Sequence, residues 1–149
     1  GRDGVPFAVL KLRSLRHGPG DDAARLTRFG RWLRASALDE VPQLLNVLRG
    51  EMALVGPRPL PLAYLPLYTP REATRLRVRP GLCGLAQAEG RNGVAWDRRL
   101  ELDARYVETR SIGAGLVLLL RCAWVVLRGQ GVAAAGHATM PALTEERQG

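Results

Sequence analysis

The sequence predicts a compact, predominantly helical α+β domain with short strands or a β-hairpin and amphipathic helices suited to a membrane surface. Three observations carry this. Apolar residues recur at helical spacing over 23–35, 96–110 and 112–128. Glycines cluster over 79–93, where that spacing lapses. No alternating strand–helix–strand pattern runs through the chain, which argues against a doubly wound sheet. At 149 residues, 46% of them hydrophobic, the chain is long enough for one domain with a real core.

The elements follow in order. GRDG is a turn, and VPFAVLKLRSL alternates well enough to read as a short strand carrying Lys11 and Arg13 on one side. RHGPGDDA is a loop by its Gly, Pro and Asp content. AARLTRFGRWLRA places Leu26, Phe29, Trp32 and Leu33 on one helical face and arginines on the other. Pro42 fits only the first turn of a helix, so a new helix is expected from about Asp39 to Gly50. Thr69, Pro70 and Glu72 spell a capped helix start. RPGLCGLAQAEGRNG reads as strand or hairpin with exposed loops, and WDRRLELDARYVETR returns to helix. IGAGLVLLLRCAWVVLR is the most apolar stretch, but it is short for a span and carries Arg121 in its middle. It is expected to be a core helix or one lying in a membrane interface. The segment 132–149 reads as a flexible tail.

The charge balance points to an anionic partner. The formal net charge is +8, and Lys11 is the single lysine among 22 basic residues. Arginine offers planar, permanently charged contacts to phosphate and carboxylate. Nucleic acid, a phosphorylated small molecule or a phospholipid surface would each suit. Cys83 and Cys122 form no CxxC or Cys/His cluster, so neither zinc nor a disulfide framework is implied.

Three constellations bear on chemistry. In SALDEVPQL, Asp39 and Glu40 are adjacent carboxylates in this basic chain. A helix cap, with Ser36 completing a capping-box pattern, accounts for one of them. A nucleophile or metal ligand beside arginines accounts for both. In VGPRPL, prolines on both sides of Arg58 stiffen the chain around it, as in an ordinary turn or a preset phosphate clamp. In RPGLCGLAQAEGRN, glycines allow close backbone approach to a ligand, but neither a Walker A loop nor a Rossmann fingerprint is present.

Taken together and in order, KLRS, LDEVPQLLNVLRGEMALVGPRPL, RPGLCGLAQAEGRN and LELDARYV resemble the blocks of the bacterial sugar-transferase family, the monotopic polyprenyl-phosphate phosphoglycosyl transferases, in its short single-domain type. The resemblance covers roughly 1–131, assigned as the catalytic domain, and GHATMP in the tail resembles the end of short members. It implies transfer of sugar-1-phosphate from a UDP-sugar to a polyprenyl phosphate such as undecaprenyl phosphate, with release of UMP. It implies a covalent aspartyl phosphosugar intermediate and the first step of lipid-linked glycan assembly, for exopolysaccharide, O-antigen, capsule or glycoprotein glycan. The matching positions are Asp39 as nucleophile and Glu40 as Mg²⁺ ligand, with Lys11, Arg34, Arg58 and Arg91 as phosphate or carboxylate partners. Gln87, Asn92, Asp97 and Asp103 match positions for nucleotide contacts or site architecture.

The implied location is the bacterial inner membrane, with the catalytic domain facing the cytoplasm and no nucleic-acid partner. An apolar segment that enters the membrane and returns on the same side is expected upstream of the first block, and this chain is expected to lack it. Cys83 stands where the family has threonine, and Leu85 where it has tryptophan. A basic nucleic-acid-binding module and an inactive membrane-associated scaffold are the alternatives. The aromatic residues are not interleaved with the basic ones as a base-stacking platform requires.

Overall fold

The computed structural model describes residues 1–19, 22–90, 93–128 and 142–148. Its helices are α1 (Asp22–Arg25), α2 (Arg28–Ala35), α3 (Gln43–Leu48), α4 (Leu85–Gly90), α5 (Trp96–Thr109), α6 (Ile112–Leu127) and α7 (Leu143–Gln148). Short 3-10 helices lie at Arg2–Gly4, Leu38–Glu40, Leu62–Leu67 and Glu72–Arg77. With strands β1 (Ala53–Val55) and β2 (Gly81–Cys83) they make the predominantly helical α+β fold that the sequence predicts.

Of the strand or hairpin expected within 79–93, the strand forms, and a helix rather than a loop follows it. β2 pairs in parallel with β1, Ala53 opposite Gly81 and Val55 opposite Cys83. Parallel pairing needs a crossover, and 56–80 supplies it. A Cβ on Gly81 would fall 2.1 Å from the Gly56 amide nitrogen, so glycine is what lets the crossover close this tightly. Past the strand, Leu85, Ala86 and Ala88 favour helix, and α4 buries Ala86 with Val94 and Leu102.

The run 5–15 is extended, but it is no strand. Its backbone is held chiefly by a side chain: Leu10 N–H donates to Asn46 Oδ1 at 3.1 Å, and Asn46 Nδ2 donates to the Ala8 carbonyl at 2.8 Å. Asn46, fully buried on α3, stands in for the missing neighbour strand.

Helix α2 is capped by Thr27, whose hydroxyl accepts from Gly30 N–H at 2.8 Å. It turns Leu33 inward but leaves Phe29 and Trp32 exposed and stacked on each other at 5.7 Å, a departure from the single inward face expected. The capping box at Thr69 forms, Thr69 N–H donating to Glu72 Oε2 at 2.8 Å and Glu72 N–H to Thr69 Oγ1 at 3.3 Å. The turn it opens continues as 3-10 rather than α-helix.

The main core gathers on α5. Trp96, Arg99, Leu100, Asp103 and Ala104 share its inward face at helical spacing. Tyr64 meets Trp96 edge to face at 5.5 Å, and Leu100 and Leu143 complete the cluster. Leu143 is fully buried and its N–H donates to the Tyr64 hydroxyl at 3.2 Å. Within the stretch read as a flexible tail, α7 is therefore docked, while 132–141 lies outside the described residues. Leu118, Cys122 and Val125 are the buried side of α6, whereas Leu116, Leu120, Trp124 and Leu127 are exposed. Among the described residues no helix is long and apolar enough to cross a membrane.

Candidate active site

The acidic pair sits in a 3-10 turn, not at a conventional helix cap. The chain enters it through Ala37 at φ 56°, a left-handed conformation that costs a non-glycine residue about 1 kcal/mol. Regular α-geometry begins only at Gln43, with Pro42 at the N-cap, and neither Ala37 nor Pro42 caps with its side chain. The Ser36 hydroxyl turns back to the Trp32 and Leu33 carbonyls at 3.0 Å, so the capping-box pattern with Asp39 is not realised.

The two carboxylates have different lives. Glu40 is locked: Lys11 Nζ donates to Oε1 at 3.0 Å, Arg58 Nη1 donates to Oε2 at 3.1 Å, and Arg58 Nη2 also donates to Oε1. Burial works to raise its pKa, but Arg58 and Lys11 hold it down at about 2. Asp39 is buried, yet among the described residues its carboxylate accepts no hydrogen bond. Burial foremost and Glu40 next raise its pKa above the ordinary aspartate range, against the pull of Lys11, Arg34 and Arg58. One carboxylate is a fixed counter-ion; its neighbour is a more basic and less encumbered group amid three cations.

Arg58 is fixed from behind as well as in front. Arg75 Nη2 donates to the Arg58 carbonyl at 2.5 Å and to Asp103 Oδ2 at 2.8 Å. Arg75 Nε reaches the same Asp103 oxygen at 3.1 Å, and Nη1 donates to the Tyr68 hydroxyl at 2.9 Å. Asp103, on the inward face of α5, is nearly inaccessible, and burial raises its pKa against the pull of Arg75. The prolines around Arg58 stiffen the turn, and this buried ion pair ties the turn to α5.

Two cavities meet at Arg58. One, of about 450 Å³, is lined by Lys11, Gln43, Arg58, Phe7 and the Pro59–Leu62 turn. The other, of about 400 Å³, is mostly apolar and lies between α3 and α6, with Glu40, Arg58, Gln87, Leu44, Leu119 and Val126 in its wall. Gln87 Nε2 donates to the Leu82 carbonyl at 3.3 Å, while its buried Oε1 has no partner among the described residues. The Cys83 and Cys122 side chains line the apolar cavity too, and a hydrogen bond from Cys122 lowers the Cys83 pKa.

Of the residues singled out from sequence, Asp39, Glu40, Lys11, Arg34 and Arg58 come together. Arg34 Nε donates to Ser14 Oγ at 2.8 Å, and its charge acts on Asp39. Asp103 belongs to the support of Arg58, and Gln87 to the wall of the apolar cavity. Asp97 does not join them: it is highly exposed and its partner is Arg147 at 3.4 Å, because it lies in the first turn of α5, about 1.7 turns before Asp103 and so off the inward face. Arg91 and Asn92 lie outside the described residues, as does the GHATMP segment. Sequence reasoning missed Arg75 and Gln43. Arg75 is one of several arginines between 71 and 79, and nothing local marks it; Gln43 had the one clue of following the acidic pair closely.

Among the described residues no group of three or more His, Cys, Asp or Glu side chains could hold a metal ion. Magnesium, however, is commonly held at phosphate sites by one or two carboxylates, with substrate oxygens and water completing the shell. Glu40 fits that part: it is ionised across the physiological range, and Oε2 accepts a single bond, leaving a lone pair.

Comparison with known proteins identifies the family. Residues 1–129 match the family described as bacterial sugar transferase. The chain is 43% identical over 150 residues to the uncharacterised sugar transferase EpsL of Bacillus subtilis, covering 97% of this chain and 74% of that one. It is 45% identical over 139 residues to the UDP-glucose:undecaprenyl-phosphate glucose-1-phosphate transferase of Caulobacter vibrioides, covering 81% of this chain and 51% of that protein. Against the undecaprenyl-phosphate galactose phosphotransferase of Salmonella typhimurium the identity is 43% over 107 residues, 72% of this chain and 22% of the relative. Several relatives are thus much longer than the part this chain spans. The chain belongs to the bacterial sugar transferase family.

Proposed function

We propose that the protein transfers sugar-1-phosphate from a UDP-sugar to a polyprenyl phosphate such as undecaprenyl phosphate, releasing UMP, with Asp39 as the nucleophile. The relatives from Caulobacter and Salmonella bear names of this kind. The observation that supports the reading best is the asymmetry of the acidic pair. Glu40 is tied to Arg58 and Lys11, and Asp39 beside it accepts no hydrogen bond among the described residues and has a raised pKa.

In this scheme the diphosphate enters between Lys11, Arg34 and Arg58, whose charges offset the charge developing at phosphorus. An Asp39 carboxylate oxygen attacks the sugar-bearing β-phosphorus. The bond from that phosphorus to the bridging oxygen breaks, UMP leaves, and an aspartyl phosphosugar ester remains. A phosphate oxygen of the lipid then attacks the same phosphorus, the ester bond breaks, and Asp39 returns as a carboxylate beside a polyprenyl diphosphosugar. Glu40 would hold Mg²⁺, which when bound neutralises diphosphate charge. Glu40 also keeps Arg58 and Lys11 positioned throughout.

The apolar cavity between α3 and α6 would take the first isoprene units. The exposed Leu45, Leu48, Leu120 and Trp124 on the same helices would rest on the cytoplasmic leaflet of the inner membrane, whose anionic lipids the basic chain favours. The product would enter lipid-linked polysaccharide assembly, of which exopolysaccharide is one instance.

The test is incubation with a panel of UDP-sugars, followed by intact-protein mass spectrometry and by UMP release once lipid is added. A phosphosugar adduct is expected on wild type and none on Asp39→Asn. An adduct retained in Asp39→Asn removes Asp39 as nucleophile.

A further inference from the structure

Gln43 is 2% exposed, and its side-chain Nε2 has no hydrogen-bond partner among the described residues. A buried amide donor left unmade is costly, and native structures keep such groups where something else supplies the acceptor. The residue lines the 450 Å³ cavity, and so do Lys11 and Arg58. The wall of this space thus brings together residues that carry an amide, an ammonium and a guanidinium, the last two also bonded to Glu40. Phe7, Pro59 and Leu62 make the remaining wall apolar, and the volume lies in the range of small-molecule sites.

The polarity of the two cavities decides what each can hold. In the apolar cavity the unpartnered buried atom is Gln87 Oε1, an acceptor, which calls for a hydroxyl or N–H. In the Gln43 cavity it is a donor flanked by two cations, which calls for an oxyanion. A phosphate oxygen is an acceptor only, so it can satisfy the Gln43 Nε2 donor and cannot satisfy Gln87 Oε1. A lipid chain fits better in the other cavity, where α3 and α6 supply leucines and valines.

We propose that Gln43 is a substrate-binding residue whose side-chain amide donates to a phosphate oxygen of the nucleotide, in the cavity it shares with Lys11 and Arg58. The nucleotide's base lies against the apolar wall that Phe7 and the Pro59–Leu62 turn provide. This rests on the sugar-nucleotide reading above, and it adds a contact that the family resemblance did not mark.

The test measures binding without turnover. Affinity for UDP, with magnesium held constant, is determined by calorimetry for the full chain, for Gln43→Met and for Gln43→Glu, together with each protein's melting temperature. Methionine keeps the length and removes the donor. Gln43→Met is expected to bind UDP about tenfold more weakly, the loss typical of one hydrogen bond to a charged group. Gln43→Glu is expected to bind more weakly still, because it sets a carboxylate against phosphate.

The melting temperature of unliganded Gln43→Met is expected to equal or exceed that of wild type, since an unpaired buried donor has been removed. A merely structural glutamine would show the opposite pattern, a lower melting temperature with unchanged UDP affinity, and that result overturns the proposal. A Gln43→Met protein that loses affinity for farnesyl phosphate but not for UDP overturns the nucleotide assignment and gives the cavity to the lipid phosphate. Wild-type protein that turns over a UDP-sugar with Gln43→Met unchanged in UDP affinity removes Gln43 alone. Wild-type protein that neither binds UDP nor releases UMP removes the underlying reading with it.

Discussion

Glu40 and Arg58 meet fork to fork, both terminal nitrogens of the arginine donating to the two oxygens of the carboxylate, and Lys11 adds a third bond at 3.0 Å. This triple contact makes Glu40 the organiser of the cationic half of the site. Replacing it by glutamine takes from partly buried Arg58 and Lys11 the carboxylate they are bonded to and leaves them only the neighbouring charge of Asp39. Glu40→Gln is expected to lower kcat for UMP release by about a hundredfold or more and to destabilise the fold by about 1–3 kcal/mol. Steady-state kinetics and urea unfolding check the two effects separately.

The same contact sets an acid limit on stability. The folded pKa of Glu40 is about 2, below the 4.5 of the free side chain. Its contribution, about 3 kcal/mol, is therefore fully present above pH 4.5 and is lost as pH falls from there toward 2. Urea midpoints between pH 3 and 7 are expected to fall less steeply in Glu40→Gln than in wild type across the lower part of that range. Parallel curves would remove Glu40 as the source.

Asp39, as the proposed nucleophile, is expected to show in the pH dependence of rate. Its pKa stands above the ordinary value, so the acid limb of kcat/KM is expected to lie above pH 3.8, with activity rising as Asp39 ionises. Glu40 is one cause of that rise. Glu40→Gln is accordingly expected to shift the limb to lower pH even as it lowers the plateau. A limb unmoved by this change would mean that another group titrates.

Arg75 and Asp103 offer a test of support without contact. Breaking their buried ion pair in Asp103→Asn is expected to cost about 3–5 kcal/mol, because Arg75 is left charged and buried. The double variant Arg75→Met with Asp103→Leu is expected to recover much of the melting temperature but not kcat. The apolar pair packs, but nothing then holds the Arg58 carbonyl. Full recovery of both would show that the anchor is dispensable.

Much of this site was legible in sequence because its chemistry is concentrated in short, ordered blocks. Asp39, Glu40 and Arg58 could be named, as could the anionic character of their ligand. What escaped is set by tertiary packing. Phe29 and Trp32 have the spacing of a buried face, yet they pair with each other outside it. The 5–15 run has the alternation of a strand, but its pairing group is the side chain of Asn46, which periodicity cannot reveal. The glycines around 81 and 84 left strand and hairpin both open, and the strand that forms is a parallel one because Gly81 allows the close approach to Gly56. Arg75 carries no local mark and Gln43 only its nearness to the acidic pair, since a donor's value depends on what surrounds it.

The parallel pairing of β1 with β2 has a consequence for how the enzyme comes into being. Arg58 lies on the crossover that this pairing closes, while Asp39 and Glu40 precede β1 and Asp103 follows β2. Closing that loop costs chain entropy before any of its long-range contacts is rewarded. A nascent or partly refolded chain that has formed α5 and α6 but not the ladder would hold an anchor for Arg75 without an Arg58 to place. The acidic pair and its arginine thus stand on opposite sides of β1, and the loop that the β1–β2 pairing closes is what carries Arg58 back to Glu40.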